Sequence, residues 1–285
     1  MMDVQDFIAL AWEAACRGEF LFLGESASGR RWIEPPKGGR LLALAPHPDD
    51  PDAVAVTLRV FANAGCRIRY VVTGGANGGV TDDYARKKAV ELGKKPRNLA
   101  AWKAELRRAE QIASARQAGF VDGEVVFLEN KGEDELGDII QCPENAALIR
   151  RLLRDEDPDF VVMPYGNDSN QGHRSVFSLF RETAPSVVLE RGRPMLALYN
   201  RDPKTTSINE QLVVPFDGDD ARWKASIISL NDSQQQRNIE SRGYGLDERI
   251  LRVNRAIQTE LQNKVIEQWK DECLYAESFQ LELFA

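Results

Sequence analysis

Short apolar runs alternate with longer stretches of helical spacing through the middle of the chain. Most of these runs are of strand length and mainly apolar, which is typical of strands buried on both faces of a sheet. The pattern predicts strands at 41–45, 67–72, 124–128, 159–163 and 195–199, and helices at 52–64, 98–117, 143–154 and 173–183. This alternation predicts a Rossmann-like α/β fold, with a mostly parallel sheet and helices on both faces.

The two ends of the chain depart from this alternation. Residues 3–17 have the spacing of an amphipathic helix, and residues 30–40, with their prolines and glycines, predict a connector. We therefore expect an N-terminal helical extension and connector over 1–38, and a catalytic domain with a C-terminal helical segment over 39–285. The pattern beyond residue 200 predicts one strand and two helices, at 212–216, about 220–240 and 246–270.

Two segments beside the expected sheet edge carry weaker signals. Residues 82–97 form an insertion rich in lysine and arginine, for which we expect a solvated loop. A mobile lid that contacts an acidic substrate group is the alternative for this insertion. The glycine-rich residues 73–79 lack the Lys-Ser/Thr ending of a phosphate-binding loop and are expected to shape a rim loop instead.

Composition narrows the class of partner. The formal net charge of -7 and the pI near 5.2 disfavour a nucleic-acid partner, whose phosphates require a basic surface. No apolar run approaches the roughly 18 residues of a membrane span, and the N-terminus lacks a signal-peptide pattern, so we expect a cytoplasmic location. The four cysteines are dispersed, which indicates neither a disulfide framework nor a zinc ribbon. A small-molecule substrate is favoured, and a homo-oligomer is left open.

Both histidines of the chain follow strand-like segments. His47 lies in the sequence His-Pro-Asp-Asp after the first apolar run, and His173 closes a polar loop after the run at 159–163. Open α/β sheets bind ligands at the carboxyl ends of their strands, so we expect both histidines at one rim. The prolines around the paired carboxylates fix the turn, so that Asp49 and Asp50 can point in different directions.

These residue types are common ligands of catalytic metal ions. Catalytic zinc usually has three protein ligands and leaves one position for water. His47, Asp50 and His173 form such a set, for which Zn²⁺ is expected and Fe²⁺ or another divalent ion is also suitable. Asp168 could orient a ligand or begin a turn, and Tyr165 could touch the substrate or pack the pocket wall.

The sequence resembles the PIG-L or LmbE-like zinc-dependent N-deacetylases, which remove acetyl groups from N-acetylglucosaminyl compounds and related amides. The first family signature is a strand followed by His-Pro-Asp-Asp, here residues 47–50. The second is a strand followed by an Asp-bearing loop that ends in His-Arg, here residues 168–174. An Arg-x-x-Glu helix, a Lys-Ala…Ser-Gln segment and an Ala-Glu-x-Phe motif also match, at 107–110, 224–234 and 276–279.

The resemblance implies a fold, a substrate class and roles for residues. The implied fold is an LmbE-like three-layer α/β/α sandwich, and the implied substrate is an acetylated amino sugar or a related amide. The three candidate ligands would bind zinc, and Asp49 would be the general base. Arg107 would contact the substrate, although a place on a solvated helix face is an open alternative for it.

Three departures from the family pattern bear on the mechanism. The Glu that usually follows the paired Asp residues is absent, because Pro51 and Asp52 stand there. In the second signature, Asn170 replaces a His that assists the oxyanion or the leaving group, and Gly172 replaces an Asp. Asn170 can donate a hydrogen bond to an oxyanion, but it cannot shuttle a proton at neutral pH.

The departures leave two other functions open. The first is a metal-dependent hydrolase of another amide, of an ester or of a phosphoester. The second is a catalytically weak sugar-binding homologue on the same fold. The change Asp49→Asn separates them, because a hydrolase should lose turnover whereas a binding protein should keep its ligand affinity.

Overall fold

One mixed sheet runs through the molecule. The computed structural model describes residues 2–24, 32–75, 77–121, 123, 125–262 and 273–285. Its strands are β1 (Leu21–Leu23), β2 (Trp32–Ile33), β3 (Arg40–Ala45), β4 (Arg67–Val72), β5 (Val126–Phe127), β6 (Phe160–Pro164), β7 (Met195–Asn200), β8 (Leu212–Phe216) and β9 (Tyr275–Phe284). They lie in the order β2-β1-β8-β9-β7-β6-β3-β4-β5. Neighbouring strands are parallel except at β9, which is antiparallel to both β7 and β8.

Helices cover both faces of this sheet. They are α1 (Val4–Cys16), α2 (Ala55–Asn63), α3 (Asp82–Glu91), α4 (Leu99–Ala118), α5 (Pro143–Glu156), α6 (Gln171–Arg191), α7 (Gly218–Ile228), α8 (Asp232–Arg242) and α9 (Leu246–Gln262). Two short 3-10 helices lie at Asp50–Val54 and Asn77–Gly79. Residues of α1, α2, α4 and α7 share one core, and residues of α5 and α6 share another. The predicted α/β fold with a mostly parallel sheet is confirmed.

Alternate residues of β3 pack on opposite faces of the sheet. Leu41 and Ala43 belong to the core beneath α1 and α2, whereas Leu42 and Leu44 belong to the core beneath α5 and α6. Successive side chains of a strand point to opposite faces, so a strand that is apolar at every position needs cover on both sides. The unbroken apolar run in the sequence reflects this double burial.

The strand order reverses beside β3. From β3 the chain moves outward through β4 to β5, and it then crosses back to β6 and β7 on the other side. Because β3 and β6 are parallel neighbours, with Leu41 opposite Phe160, the loops that follow them leave the same edge of the sheet. Ligands bind open α/β sheets at such a switch point. His47 follows β3 and His173 follows β6, so their predicted placement at one rim is confirmed.

The prediction of one helix at 220–240 is wrong, because the chain forms two helices there, α7 and α8. The break lies at Asn231, whose side chain is fully buried and donates to Asp52 Oδ2 at 2.8 Å. The helix predicted at 246–270 is present as α9 up to Gln262, and residues 263–270 lie outside the described residues. Residue 124, predicted to begin a strand, also lies outside them.

The sequence did not predict β1, β2 or β9. The first two are only three and two residues long, which is too short to display a period. In β9, Glu277 and Ser278 are buried among apolar neighbours and interrupt the apolar run that marks an inner strand. Part of the predicted connector at 30–40 is therefore strand, while its residues 30 and 31 lie outside the described part of the chain.

The insertion at 82–97 is not the expected solvated loop. Most of it is helix α3, whose start Thr81 caps by accepting a hydrogen bond from the Tyr84 amide. Ala85 and Ala89 are buried in a small cluster with Trp102 and Leu106 of α4. Ala85 and Ala89 lie one helical turn apart, but the charged residues around them hide this apolar spacing in the sequence.

The N-terminal segment packs on the same sheet. Phe7 of α1 lies edge-on against Phe61 and Phe160, and β1 pairs with β8. The boundary expected at residue 38 stays a prediction. No helix among the described residues combines the length and the apolar character needed to cross a membrane.

Candidate metal centre

The first signature forms a tight turn with a strained backbone at Asp49. This residue has φ of 105°, in the left-handed region that residues with a Cβ rarely adopt. Its amide donates to Gln111 Oε1 at 2.8 Å, and the Asp52 amide donates to the Asp49 carbonyl at 3.1 Å. Pro51 lies in the first turn of the following 3-10 helix, where its missing donor is not needed. The turn is thus fixed, as the sequence predicted.

Asp50 lies between the two histidines. One of its carboxylate oxygens accepts a hydrogen bond from the His47 backbone amide at 2.7 Å and lies 3.1 Å from His47 Nδ1. The other oxygen lies 3.5 Å from His173 Nε2. The Asp50 side chain is only 9% exposed, so these contacts are shielded from water. The structure therefore brings together the three residues predicted as metal ligands.

Asp168 contacts the ring nitrogen of His173 that faces away from Asp50. His173 lies in the first turn of α6, which Asn170 caps by accepting a hydrogen bond from the Gly172 amide at 2.8 Å. His173 Nδ1 lies 3.0 Å from Asp168 Oδ2, and both side chains are fully buried. Such a carboxylate fixes the tautomer and orientation of a histidine ring, which leaves Nε2 to face the Asp50 carboxylate.

His47 has a similar partner that the sequence did not reveal. Its Nε2 lies 3.0 Å from Oδ1 of Asp138, which is buried in the loop after β5. A Cβ atom at Gly172 would lie only 2.9 Å from both His47 Nε2 and Asp138 Oδ2. The glycine that replaces the family's Asp therefore leaves the space in which Asp138 meets His47. Asp138 is 91 positions from His47, in an acidic stretch that resembles a solvated loop, so no local signal marked it.

The three candidate ligands have the spacing of a cation site. Tetrahedral ligands at zinc distances of about 2.1 Å lie about 3.4 Å from one another. One donor atom from each of His47, Asp50 and His173 lies within 4.8 Å of the others. His173 Nε2 is buried and makes no hydrogen bond with any described residue. Because a buried polar atom without a partner is unfavourable, this nitrogen fits a ligand to a cation.

The charges within the centre shift the pKa values of its members. Burial alone would raise the pKa of Asp50, but the two histidines hold it well below its ordinary value. Burial alone would lower the pKa of His173, but Asp50 and the hydrogen bond with Asp168 raise it to about 10. The pKa of His47 is likewise raised, against the effect of burial, by Asp50 and Asp138. A cation bound here would therefore displace protons from the histidines.

Asp49 is paired with Arg107 beside this centre. Arg107 is 2% exposed, and its guanidinium donates to the Asp49 carboxylate and to the Pro48 carbonyl. Burial raises the pKa of Asp49, and the positive charge of Arg107 opposes that rise. Arg107, predicted to contact the substrate, lines the cavity, but these donors are engaged by the turn that carries Asp49.

A cavity of about 400 Å³ opens over the centre, and its lining includes Asp49, Asp50 and Asn170. The side-chain oxygen of Asn170 caps α6, while its amide nitrogen makes no hydrogen bond with a described residue. That nitrogen is the donor which stabilisation of an oxyanion requires. Tyr165 and Asp168 do not belong to the lining among the described residues. Tyr165 instead packs with its ring 5.5 Å from that of Phe177.

The glycine-rich loop forms part of the rim, as predicted. Gly78 and Gly79 line the cavity, whereas residue 76 of the loop lies outside the described residues. A Cβ at Gly79 would lie 2.8 Å from Arg107 Nη1 and 3.1 Å from Gln234 Nε2. The absence of a side chain allows α4 and α8 to approach the loop closely.

The later sequence motifs connect the C-terminal elements to this rim. Glu110 accepts hydrogen bonds from the Ser233 amide at 2.8 Å and from the Ser233 hydroxyl at 2.6 Å. Gln234 Nε2 donates to the Gly79 carbonyl at 2.8 Å. These contacts fix the start of α8 against α4 and the rim loop.

A buried ion pair connects the two last motifs. Lys224 Nζ lies 2.7 Å from Glu277 Oε1, and both side chains are at most 1% exposed. The same ammonium donates to Asn254 Oδ1 at 2.8 Å and to the Ala53 carbonyl at 2.5 Å. Glu277 also accepts from the Thr57 amide at 2.8 Å. The pair thus joins α7, α9 and β9 to the start of α2, next to the metal centre.

Sequence comparison assigns the family. The family model of PIG-L, described as GlcNAc-PI de-N-acetylase, matches residues 42–184, which is about half of the chain. The chain belongs to the PIG-L family. The matched PIG-L region contains both signatures, the candidate ligands and Asp138. Among curated proteins, none matches the chain.

Solved structures with the same fold include deacetylases and a hydratase. N,N'-diacetylchitobiose deacetylase from Pyrococcus horikoshii is 19% identical, with a TM-score of 0.63 over 86% of this chain and 84% of that one. The zinc-inhibited form of teicoplanin deacetylase Orf2 is 17% identical, with a TM-score of 0.55 over 86% and 98%. GalB, the 4-carboxy-2-hydroxymuconate hydratase from Pseudomonas putida KT2440, is 18% identical, with a TM-score of 0.59 over 86% and 95%. These likenesses establish the LmbE-like fold.

Proposed function

We propose that this protein is a metal-dependent hydrolase that removes the acetyl group from an acetylated amino sugar or a related amide. The observation that carries the proposal is the convergence of His47 and His173, each oriented by its own carboxylate, on Asp50 beside a cavity. Membership of the PIG-L family and the deacetylases among the structural neighbours support it. Zn²⁺ is the expected ion, because two imidazoles and one carboxylate suit it, and Fe²⁺ is an alternative.

Asp49 is the proposed general base. A divalent ion bound at the centre would polarise the amide carbonyl and make a water molecule acidic enough to attack it at neutral pH. Asp49 lies next to a ligand, lines the cavity and is held in a fixed direction by Arg107. Its carboxylate would take the proton from the attacking water and return it to the departing amine. Both histidines belong to the metal centre, so no other imidazole is available for the second transfer.

Asn170 is the proposed donor to the developing oxyanion. Its amide nitrogen is free of hydrogen bonds with described residues, and the side chain lines the cavity. The capping contact with Gly172 fixes the side chain in one orientation. Removal of one such donor from an oxyanion site typically lowers kcat by about a hundredfold to a thousandfold.

A second candidate reaction is hydration of a carbon–carbon double bond. The hydratase GalB has the same fold, and a water activated beside Asp49 could add to an alkene as well as to an amide. Release of acetate distinguishes the two reactions, because hydration adds water without a leaving group.

Metal content and acetate release, measured on the same samples, test the proposal. The protein should bind close to one metal ion per chain and release acetate from N-acetylglucosamine derivatives. His47→Ala and His173→Ala should lose both properties. Asp49→Asn is the matched control, since Asn also tolerates the left-handed backbone and is not a proposed ligand; it should keep the metal and lose turnover. Wild-type protein that holds no metal after reconstitution would refute the mechanism.

A further inference from the structure

Four positively charged side chains line the cavity without a carboxylate partner. They are Lys204, Arg237, Arg242 and Arg249. Among the described residues, none of the four forms an ion pair. Several basic residues elsewhere are paired, for example Arg201 with Glu210 and Glu260. The cavity therefore gathers four cations that form no ion pair with a described residue, in a chain whose formal net charge is -7.

The carboxylates that line the same cavity make their close contacts with other residues. Asp49 is engaged by Arg107, Asp50 lies between the histidines, and Asp138 is held by His47. All three belong to the metal centre and the turn beside it. The four cations come from the loop after β7 and from α8 and α9, so acidic and basic groups of the lining are carried by different elements.

The charges of these cations also shift the pKa values of Arg249 and Asp49. Burial lowers the pKa of Arg249 and the positive charge of Arg242 lowers it further, while the negative charges of Asp202 and Asp49 oppose this fall. Lys204 exerts an opposite, stabilising effect on the Asp49 carboxylate. Asp49 and Asp202 offset only part of this repulsion, since neither forms an ion pair with these cations among the described residues, and an anion bound between the cations would relieve the remainder.

Hydrogen bonds connect the two helices that carry the three arginines to the rest of the protein. Ser233 and Gln234 fix the start of α8 to α4 and to the rim loop, and the Leu246 amide at the start of α9 donates to Gln235 Oε1 at 2.5 Å. Arg237 and Arg242 follow on α8, and Arg249 lies one turn into α9. A fixed backbone presents the guanidinium groups at defined positions, which is what recognition of a planar or tetrahedral anion requires.

We infer that the substrate carries an anionic group, a carboxylate or a phosphate, which binds to Lys204, Arg237, Arg242 and Arg249 while its amide lies at the metal centre. The inference rests on the proposed function for the position of the amide. The insertion at 82–97 was the earlier candidate for such a contact, but it does not line the cavity among the described residues. Lys88 of that insertion pairs with Asp232 at 3.0 Å instead.

Binding of three matched probes tests the inference separately from turnover. The probes are the methyl glycoside of N-acetylglucosamine, its carboxymethyl glycoside and N-acetylglucosamine 1-phosphate, which are neutral, carboxylate-bearing and phosphate-bearing. Calorimetry with the metal-loaded Asp49→Asn protein measures affinity without hydrolysis. We expect at least one anionic probe to bind about tenfold or more tightly than the neutral probe. Its affinity should fall as salt is raised from about 50 to about 500 mM.

Charge-neutralising variants locate the contact. Arg242→Gln combined with Arg249→Gln should remove most of the preference for the anionic probe and its dependence on salt. Arg242→Lys combined with Arg249→Lys should retain part of the preference, because the charges remain. Arg252→Gln is the matched control on α9, since Arg252 is exposed, pairs with Glu248 and does not line the cavity. It should bind all probes like the parent protein.

The possible outcomes separate this inference from the proposed function. Preferential binding of the carboxylate or of the phosphate probe identifies which anion the site accepts. Such a preference without acetate release from the wild-type protein would keep the inference and refute the deacetylase. Acetate release together with equal binding of neutral and anionic probes would support the deacetylase and refute the inference. An anionic preference that survives the double Gln change, or no binding of either anionic probe, would overturn the inference.

Discussion

The two histidines of the candidate metal centre contact carboxylates from very different parts of the sequence. His173 at the start of α6 is held at 3.0 Å by Asp168, five positions earlier in the loop that precedes this helix. His47 is held by Asp138 at the same distance, but this residue comes from another loop, 91 positions away. The pair of His173 and Asp168 is therefore local in sequence, whereas the pair of His47 and Asp138 forms only when two distant loops come together.

The difference explains which parts of the centre a sequence can reveal. Asp168 and His173 are only five positions apart, so the sequence alone indicates that this carboxylate could orient a ligand. Asp138 reaches His47 only because residue 172 has no side chain to fill the space between them. The departure from the family pattern at Gly172 and the contact of Asp138 are thus two aspects of one arrangement.

The largest loss of metal affinity is expected from a change at Asp50, which lies between the two histidines. Asp50→Asn should lower metal affinity by more than about a hundredfold, beyond the loss caused by changes to outer partners, because Asp50 contacts both histidines. Metal titration followed by calorimetry measures the change. Retention of wild-type affinity would mean that Asp50 is not a ligand.

Loss of either orienting carboxylate should have an intermediate effect. Asp138→Asn and Asp168→Asn should each lower metal affinity by about tenfold to a hundredfold, since outer partners of metal-bound histidines contribute on that scale. Glu135→Gln, an exposed change in the loop of Asp138, should leave the affinity unaltered. A marked loss for Asp168→Asn with none for Asp138→Asn would contradict the equivalence of the two carboxylates.

A smaller effect should follow from filling the space at residue 172. In Gly172→Ala the new Cβ would crowd His47 and Asp138, and we expect roughly a tenfold loss of metal affinity. The same change favours the helix by up to about 1 kcal/mol, so the melting temperature should fall little. Gly218→Ala is the matched control, because it makes the same change at a helix start where the Cβ would lie 3.6 Å from its nearest neighbour; it should keep the metal affinity and should not lower the melting temperature. Unchanged affinity in Gly172→Ala would show that Asp138 does not need this space.

The dependence of stability on pH should be the most gradual effect. The pKa of His173 rises from 6.5 to about 10 on folding, so the protonated ring stabilises the metal-free protein fully below pH 6.5. This contribution should be lost as the pH rises through about 10. Urea denaturation of the chelator-treated protein between pH 6.5 and 10 measures it, and His173→Gln should flatten the curve. A wild-type stability that rises over this range would contradict the prediction.

Physical reasons decide which elements the sequence predicted. The inner strands β3 and β6 were predicted because burial on both faces demands continuous apolar runs. β9 was not predicted because Glu277 is buried within it and interrupts its apolar pattern. The buried carboxylate of Glu277 is compensated by its ion pair with Lys224, which is distant in sequence. The polar lining of α8 and α9 was missed for a related reason, since Arg242 or Arg249 resembles any solvated residue until the cavity is known.

The position of β9 has a consequence for synthesis of the protein. This strand follows every other described element in the chain, yet it lies between β7 and β8. Since β2, β1 and β8 are connected to the rest of the sheet through β9, a growing chain on the ribosome cannot complete the sheet until β9 has emerged. Until β9 has emerged, β7 forms an open edge of the sheet and Lys224 lacks the carboxylate of Glu277. Premature termination before β9 would release chains with exposed apolar strands, which are candidates for aggregation and degradation.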